Sequence, residues 1–198
     1  MARVIHYHAH PGQKFSNTNR AMMRAASQVE GITRVDLYAE YPRYNVNTDR
    51  EQARLLDHDV IVFQFPLYWY SSPSLVKEWI DLVLEHGFAY GAGGNKLAGK
   101  TLMLAITTAG PQDAYAPQGY QRHTLRTFLT PFEQTARLCK MQFAAPYVQY
   151  SALKTDAADH AAGFARLLQG LRDDRLDMRR ALTAEVITHD TLPFVDEV

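Results

Sequence analysis

The stretch that decides the fold is Asp59-Val-Ile-Val-Phe-Gln-Phe-Pro-Leu-Tyr-Trp-Tyr-Ser-Ser-Pro73, which leads into a segment from Leu75 to Glu85. Its first half is a run of β-branched and aromatic residues, typical of a strand buried on both faces. Ser72 and Pro73 predict a helix start, because serine caps free N–H groups and proline is preset at helical φ. The aromatic loop between them therefore follows the carboxyl end of a strand, where open α/β sheets bind ligands. The same aromatics could equally serve only to plug the top of the sheet.

The rest of the chain repeats the alternation of strand and helix. The predicted strands cover 3–8, 33–37, 59–65, 100–108 and 142–150, and the predicted helices cover 17–27, 47–56, 75–85, 122–138 and 156–171. This alternation is typical of a parallel sheet with helices on both faces and right-handed crossovers. We predict one α/β domain over residues 1–175. Residues 176–198 follow it, either as a surface tail or as an arm that packs on a partner subunit in a dimer.

The composition is that of an ordinary globular protein and excludes several classes. The 198 residues include 21 basic and 21 acidic side chains, so bulk charge gives no reason to expect a nucleic-acid partner. No apolar run has the length of a membrane span, and the first residues lack the layout of a signal peptide. The lone cysteine, Cys139, excludes an internal disulfide and fits a reducing compartment. We therefore expect a cytoplasmic protein.

The loop after the first strand has the features of an anion site. His10 ends the strand, and Ser16 is placed to cap the helix that follows. Free N–H groups and the helix dipole favour phosphate at such a point, and Ser16, Asn17, Thr18 and Asn19 add neutral hydrogen-bond donors. Neither the dinucleotide fingerprint G-x-G-x-x-G nor the P-loop motif occurs there. By itself the loop is equally consistent with an ordinary capped helix.

Three histidines alternate along the first strand and its end. His6, His8 and His10 share one face at a period of two, which raises the question of a metal site. A strand in the middle of a sheet would bury the first two without room for an open coordination sphere, so we expect no metal.

Two later loops complete the pattern. The fourth predicted strand ends in Thr107-Thr-Ala-Gly110, whose small residues let a backbone approach a ligand closely. A glycine-rich excursion over 88–99 is long enough to be functional or to bridge subunits. The loops after strands one, three and four all leave the same edge of a parallel sheet, so we expect them to form one site.

Together these motifs resemble those of the flavodoxin-like NAD(P)H:quinone oxidoreductases, and within them the ancillary proteins of glutathione-gated potassium-efflux systems. The resemblance covers about residues 4–172. It implies a flavodoxin-like three-layer sandwich, a five-stranded parallel sheet of order 2-1-3-4-5, non-covalent FMN or FAD, and a homodimer with the site between subunits. The motifs are His10-Pro11 with Ser16 to Asn19, Phe65-Pro-Leu-Tyr-Trp-Tyr70, Lys77-Glu-Trp-Ile-Asp81, Gly87-Phe-Ala-Tyr-Gly91 and Thr107-Thr-Ala-Gly110.

The resemblance also implies roles for individual residues. His10 and Ser16 to Asn19 would hold the flavin phosphate. Tyr115 matches a catalytic tyrosine of the family by spacing, but Gln121 stands where that family has a histidine, which argues against a Tyr–His proton relay. Ala109 also replaces the usual first glycine of its motif. The residues implied to hold the flavin ring are Pro66, Leu67, Tyr68, Trp69, Tyr70, Thr107, Thr108, Ala109 and Gly110.

The function implied is two-electron hydride transfer from NAD(P)H through the flavin to a quinone-like acceptor. A second hypothesis is a regulatory ancillary subunit that binds a potassium-efflux membrane protein, peripherally on the inner face of the cell membrane. A third is a one-electron carrier, against which the neutral charge balance argues because no acidic docking surface is evident. The residues do not separate a quinone acceptor from a nitro or azo acceptor, since pocket shape decides this choice.

Overall fold

The computed structural model describes residues 1–12 and 16–195. The part of the predicted first loop at 13–15 and the end of the predicted tail at 196–198 lie outside the described residues. The strands are β1 (Val4–His8), β2 (Thr33–Asp36), β3 (Val60–Pro66), β4 (Thr101–Thr107), β5 (Gln142–Phe143) and β6 (Tyr147–Gln149). The helices are α1 (Asn17–Ser27), α2 (Leu37–Glu40), α3 (Thr48–Asp57), α4 (Ser74–Val83), α5 (Leu125–Phe128), α6 (Thr130–Leu138), α7 (Ala158–Arg172) and α8 (Met178–Thr183), with a 3₁₀ turn at Gln112–Ala114.

The strands form one parallel sheet in the order β2-β1-β3-β4-β5, and this confirms the predicted order 2-1-3-4-5. The fifth position is shared by two short strands, β5 and β6, where the sequence predicted one strand over 142–150. The break has a clear cause. The Ala145 N–H donates to the carbonyl of Ala181 in the C-terminal segment, and Pro146 has no N–H to donate.

Several helix ends differ from the prediction. Pro73 is the cap residue of α4 and no side chain caps that helix, so the predicted Ser72 cap is wrong. Between the predicted strand at 33–37 and the predicted helix at 47–56 lies the short helix α2, which is capped by Asp36. The predicted helix over 122–138 is divided in two at Leu129, two residues before Pro131. The helix predicted over 156–171 is α7, which begins at Ala158, and the Asp156 carboxylate accepts from its first N–H.

The face of the sheet covered by α3, α4 and α6 holds a buried carboxylate. Glu51 of α3 is fully buried and accepts hydrogen bonds from the hydroxyls of Tyr7 (2.6 Å) and Tyr41 (2.5 Å) and from the indole of Trp79 (3.1 Å). The Arg54 guanidinium pairs with Oε1, the carboxylate oxygen that also accepts from Tyr41. One anion thus joins β1, α3, α4 and the segment after α2, and burial beside it raises the pKa of Tyr7 and Tyr41.

We expect Glu51→Ala to lower the free energy of unfolding by about 3–5 kcal/mol, because removing the anion leaves buried donors and a guanidinium without their partner. Urea denaturation followed by circular dichroism would measure this change. Glu78→Ala, on the exposed face of α4, is the matched control and should change stability by less than about 0.5 kcal/mol. Equal effects of the two substitutions would show that the buried cluster contributes no more to the free energy of unfolding than an exposed side chain does.

The C-terminal segment packs against its own chain. Leu176, Ala181 and Ile187 are buried, and Ile187 forms a parallel bridge with Tyr147 of β6. The Phe194 ring lies so close to Gly170 of α7 that a Cβ added there would be 2.8 Å from it. Residues 176–195 therefore complete the core on the α1 and α7 side. An arm on a partner subunit stays a prediction.

This half of the core contains a buried histidine. The His160 ring stacks on Tyr147 with centroids 4.3 Å apart, and neither ring nitrogen has a hydrogen-bond partner among the described residues. Burial lowers the pKa of His160 to about 3, with His189 adding to the effect. The ring is therefore neutral in the folded protein at pH values where an unfolded histidine takes up a proton.

We expect the free energy of unfolding to fall as the pH drops from about 6.5 towards 3. The unfolded chain binds protons on His160 in this range and the folded chain does not, so the stability present above pH 6.5 is lost. In His160→Phe one proton fewer is taken up on unfolding. The slope of the unfolding free energy against pH should therefore decrease by about 1.4 kcal/mol per pH unit. Urea denaturation of both proteins at pH 7.5, 6 and 5 measures the slopes. Identical slopes would contradict a neutral His160 in the folded state.

Candidate functional site

A cleft of about 780 Å³ opens at the carboxyl edge of the sheet. Its walls are the loops after β1, β3, β4 and β6, together with the first turns of α1 and α7. The predicted site residues that line it are His10, Ser16, Asn17, Thr18, Asn19, Pro66, Leu67, Tyr68, Thr107, Thr108 and Ala109. The sheet therefore brings together all three loops singled out in the sequence.

One end of the cleft is lined by the amino end of α1. The Ser16 Oγ caps the helix by accepting from the Asn19 N–H at 3.2 Å. The N–H groups of Asn17 and Thr18 belong to the first turn, which has no carbonyl partner within its own helix. The Thr18 hydroxyl donates to the carbonyl of Ala152 and the Asn19 amide is turned inward, so Ser16 and Asn17 are the side chains most open to the cleft.

His10 stands beside this turn with a defined hydrogen-bonding state. Its Nδ1 accepts from the Gly12 N–H at 3.1 Å, so in the neutral ring the proton lies on Nε2. That Nε2 lies 3.4 Å from the Tyr68 hydroxyl oxygen, and burial lowers the pKa of His10 below its usual value. The neutral His10 ring thus has its N–H at Nε2, next to the Tyr68 hydroxyl of the aromatic loop, and both residues line the cleft.

The aromatic loop is a tight hairpin. Tyr68 and Ser71 exchange two backbone hydrogen bonds of 2.9 and 3.0 Å, with Trp69 and Tyr70 as the two turn residues. Both have positive φ, 48° and 64°, a conformation that usually selects asparagine and glycine. Trp69 is 92% exposed, and Tyr70 packs on Phe128 with ring centroids 4.9 Å apart. These two predicted ring-binding residues lie outside the cleft lining, at its rim.

The end of β4 forms the floor. Thr107 and Thr108 are buried, and the Thr108 hydroxyl donates to the Gly110 carbonyl at 2.9 Å. Gly110 and Tyr115 lie beyond the lining residues. The Tyr115 ring packs on Gly110, and a Cβ added there would lie 3.2 Å from the ring, which is tighter than ordinary van der Waals contact. Burial raises the pKa of the Tyr115 hydroxyl.

One wall was missed by sequence reasoning. The loop after β6 and the start of α7 contribute Ala152, Leu153, Thr155, Asp156, Ala157 and Ala158, and α1 adds Arg20 and Arg24. The predicted strand order could have revealed this wall, because a parallel sheet places the loop after its fifth strand at the same edge as the loops after strands one, three and four. Backbone bonds from Ser151 and Ala152 to Gly110 and Thr108 hold this loop against the floor.

The described parts of the chain show neither a metal-binding cluster nor a membrane-spanning helix. Within residues 1–12 and 16–195, no three or more His, Cys, Asp or Glu side chains are grouped so that they could hold a metal ion. Over the same residues, no helix combines the length and apolar character needed to cross a membrane.

The fold agrees with the family comparison. The family model described as "Flavodoxin-like fold" matches residues 2–172, so the chain belongs to this flavodoxin-like family. Among characterised relatives, the glutathione-regulated potassium-efflux system ancillary protein KefG of Cronobacter sakazakii is 46% identical over 170 residues, covering 84% of this chain and 92% of that protein. The family resemblance inferred from the motifs is thereby confirmed.

Solved structures give the same fold. General stress protein 14 from Treponema denticola, in complex with FMN, matches with a TM-score of 0.78 and 31% identity, covering 87% of this chain and 98% of that one. An NADPH-quinone reductase from P. pentosaceus matches with a TM-score of 0.73 and 27% sequence identity, and the match covers 83% of this chain and 96% of that one. A structure described as a thermophilic tryptophan halogenase from Streptomycin violaceusniger matches with a TM-score of 0.78 and 38% sequence identity. This match covers 85% of this chain and 97% of that one. The described activities differ, so function has to be argued from the site.

We expect Trp69→Asn to raise the free energy of unfolding by about 1 kcal/mol. Asparagine tolerates positive φ, and the exposed indole contributes little packing that could be lost. Urea denaturation measures the change. Tyr120→Asn is the control, because Tyr120 is also highly exposed (86%) but is not among the residues with positive φ. If Trp69→Asn is neutral or destabilising, the turn stores no strain.

Proposed function

We propose that this protein is a flavin-dependent NAD(P)H:quinone oxidoreductase. The observation that carries the proposal is the single cleft in which a helix start with neutral donors, an aromatic hairpin and a floor of small residues converge. Its volume of about 780 Å³ is within the range of small-molecule and cofactor sites. The FMN-bound relative and the quinone-reductase relative of the same fold support the assignment.

The donor set of the cleft fits a flavin mononucleotide unit. The His10 Nε2–H, the Ser16 and Asn17 side chains and the first N–H groups of α1 would hold the phosphate. Leu67, Tyr68, the rim residues Trp69 and Tyr70, and Thr107 to Gly110 would hold the ring. FMN and FAD both contain this unit.

When bound, the flavin would supply hydride acceptance from NAD(P)H and hydride donation to a quinone. The chain's own contribution is orientation and electrostatics. The backbone N–H groups of Ala109 and Gly110 would stabilise negative charge that develops at the edge of the ring, because preorganised donors need no reorganisation, whereas the Thr108 N–H already donates to the Gln149 carbonyl. The hairpin at Tyr68 would cover the acceptor side and exclude water. Tyr115, packed on Gly110, is the proposed catalytic hydroxyl next to this segment.

A second candidate is an ancillary subunit of a potassium-efflux system. It is favoured by the identity to the KefG ancillary protein, which extends over 92% of that protein's length. In this role the protein would be a cytoplasmic homodimer attached peripherally to the inner face of the membrane through its efflux partner. The two functions are compatible, since one chain can both bind a flavin and dock on a membrane protein.

We expect FMN or FAD to bind stoichiometrically, measured by quenching of flavin fluorescence. In Ser16→Ala/Asn17→Ala the affinity for FMN should fall by about 1–3 kcal/mol because phosphate donors are lost. The affinity for riboflavin, which has no phosphate, should stay unchanged. Ser27→Ala at the other end of α1, where the hydroxyl donates to the Arg24 carbonyl, is the matched control.

Steady-state oxidation of NADH and NADPH by benzoquinone and naphthoquinone acceptors then tests the activity. A wild-type protein that quenches no flavin would overturn the flavin assignment. Flavin binding without turnover, together with capture by membranes that contain the efflux protein, would favour the ancillary role over the enzyme.

A further inference from the structure

A chain of buried polar side chains runs beneath the cleft floor. It joins His6 on β1, Gln64 on β3, Asn19 on α1 and Thr107 on β4, and none of these residues is more than 4% exposed. Asn19 and Thr107 reach the cleft, whereas Gln64 and His6 are not among its lining residues. The links are His6 Nε2 to Gln64 Oε1 (2.9 Å), Gln64 Nε2 to Asn19 Oδ1 (3.2 Å) and Asn19 Nδ2 to Thr107 Oγ1 (2.9 Å).

The donor and the acceptor in every hydrogen bond of this series follow from one group that can only accept. The Gln64 amide lies 3.0 Å from the backbone carbonyl of Asn19, which can only accept, so the Gln64 NH₂ group must face Asn19. The same NH₂ group meets the Asn19 side-chain oxygen, which turns the Asn19 NH₂ group towards Thr107. Thr107 Oγ is therefore an acceptor towards the protein.

The other end of the chain is fixed by the same bond. With the Gln64 NH₂ group facing Asn19, its Oε1 faces His6 and accepts, so the proton of the His6 ring lies on Nε2. His6 Nδ1 has no hydrogen-bond partner among the described residues, and burial lowers the pKa of the ring to about 3. The neutral His6 ring, with its proton on Nε2, is thus the last member of the hydrogen-bonded series on the core side.

The consequence appears at Thr107. A hydroxyl oxygen that accepts a hydrogen bond from the protein can still donate its own proton to a second partner. Thr107 lines the cleft, so this proton is available to a ligand, whereas the neighbouring Thr108 donates its proton to the Gly110 carbonyl. Two adjacent threonines at the same strand end are therefore different: one is committed to the backbone and the other is held as a donor.

We propose that Gln64 is a positioning residue that makes Thr107 an obligate hydrogen-bond donor to the ligand. Resting on the proposed function, the ligand group is an acceptor of the flavin, such as a carbonyl oxygen or a ring nitrogen lone pair. Without Gln64, the Asn19 amide is free to turn its oxygen towards Thr107. The hydroxyl then donates inward and the ligand acceptor is left without its partner.

The test is a double-mutant cycle on FMN affinity with a rescue arm. Thr107→Val should weaken binding about tenfold, and Thr107→Ser should restore it. Gln64→Leu should cause a similar loss although it does not touch the ligand, and it should cause no further loss in the Thr107→Val background. Gln64→Met, which keeps the unbranched shape, replaces Gln64→Leu if the latter does not fold. Thr101→Val, at the opposite end of the same strand and also hydrogen-bonded, is the control and should leave affinity unchanged.

A second measurement needs no flavin. The ¹⁵N shifts of the His6 ring in the apoprotein should report the Nε2–H tautomer, and Gln64→Leu should remove the hydrogen-bond shift of that proton. An Nδ1–H tautomer would overturn the assigned polarity. Additive losses for the two sites, or wild-type affinity in both Gln64 variants, would overturn the positioning role while leaving flavin binding intact. Failure of the wild-type protein to bind any flavin would overturn the proposed function and, with it, the ligand acceptor assigned to Thr107.

Discussion

The site depends on the parallel pairing of β3 between β1 and β4. This pairing sets His8 opposite Gln64 and Pro66 opposite Thr107, so the loops that follow leave the sheet at one edge and at nearly one height. The Leu67 N–H continues the ladder by donating to the Thr107 carbonyl, which ties the aromatic hairpin to the floor. A shift of β3 by one residue would turn Gln64 to the opposite face of the sheet and separate it from Asn19.

The two faces of the sheet use buried polarity in different ways. On the α3 and α4 side, donors from several elements converge on the charged Glu51, and that cluster lies away from the cleft. On the α1 and α7 side, the polar groups from His6 to Thr107 are neutral and form a line that ends at the cleft. The first arrangement fixes helix positions, whereas the second can fix the orientation of a group that faces a ligand.

Much of the fold was readable from the sequence because its strands are strongly apolar. The run at 59–65 was predicted within one residue of β3, and the alternation of elements predicted the layers, while the sheet order came from the family resemblance. The break between β5 and β6 was not readable, because it depends on Ala145 bonding to Ala181, which is distant in sequence. Pairing of this kind follows tertiary packing rather than local preference.

The candidate site was readable in part for a similar reason. Residue types and strand ends placed Ser16, Leu67 and Thr107 correctly at one cleft. They did not reveal that Asn19 turns inward or that Trp69 occupies a left-handed turn, since both depend on side-chain contacts and backbone angles that residue type alone leaves open.

The bridge between Ile187 and Tyr147 has a consequence for the sheet as a whole. An outermost strand with free N–H and C=O groups is a template for pairing with another chain, and natural proteins shorten, charge or cover such strands. Here the backbone at Ile187 bonds to both Pro146 and Val148, so the β6 border is occupied by the chain's own last segment. The opposite border, β2, has only four residues. Both margins are thereby poor templates for strand addition, and self-association would have to use side-chain surfaces instead.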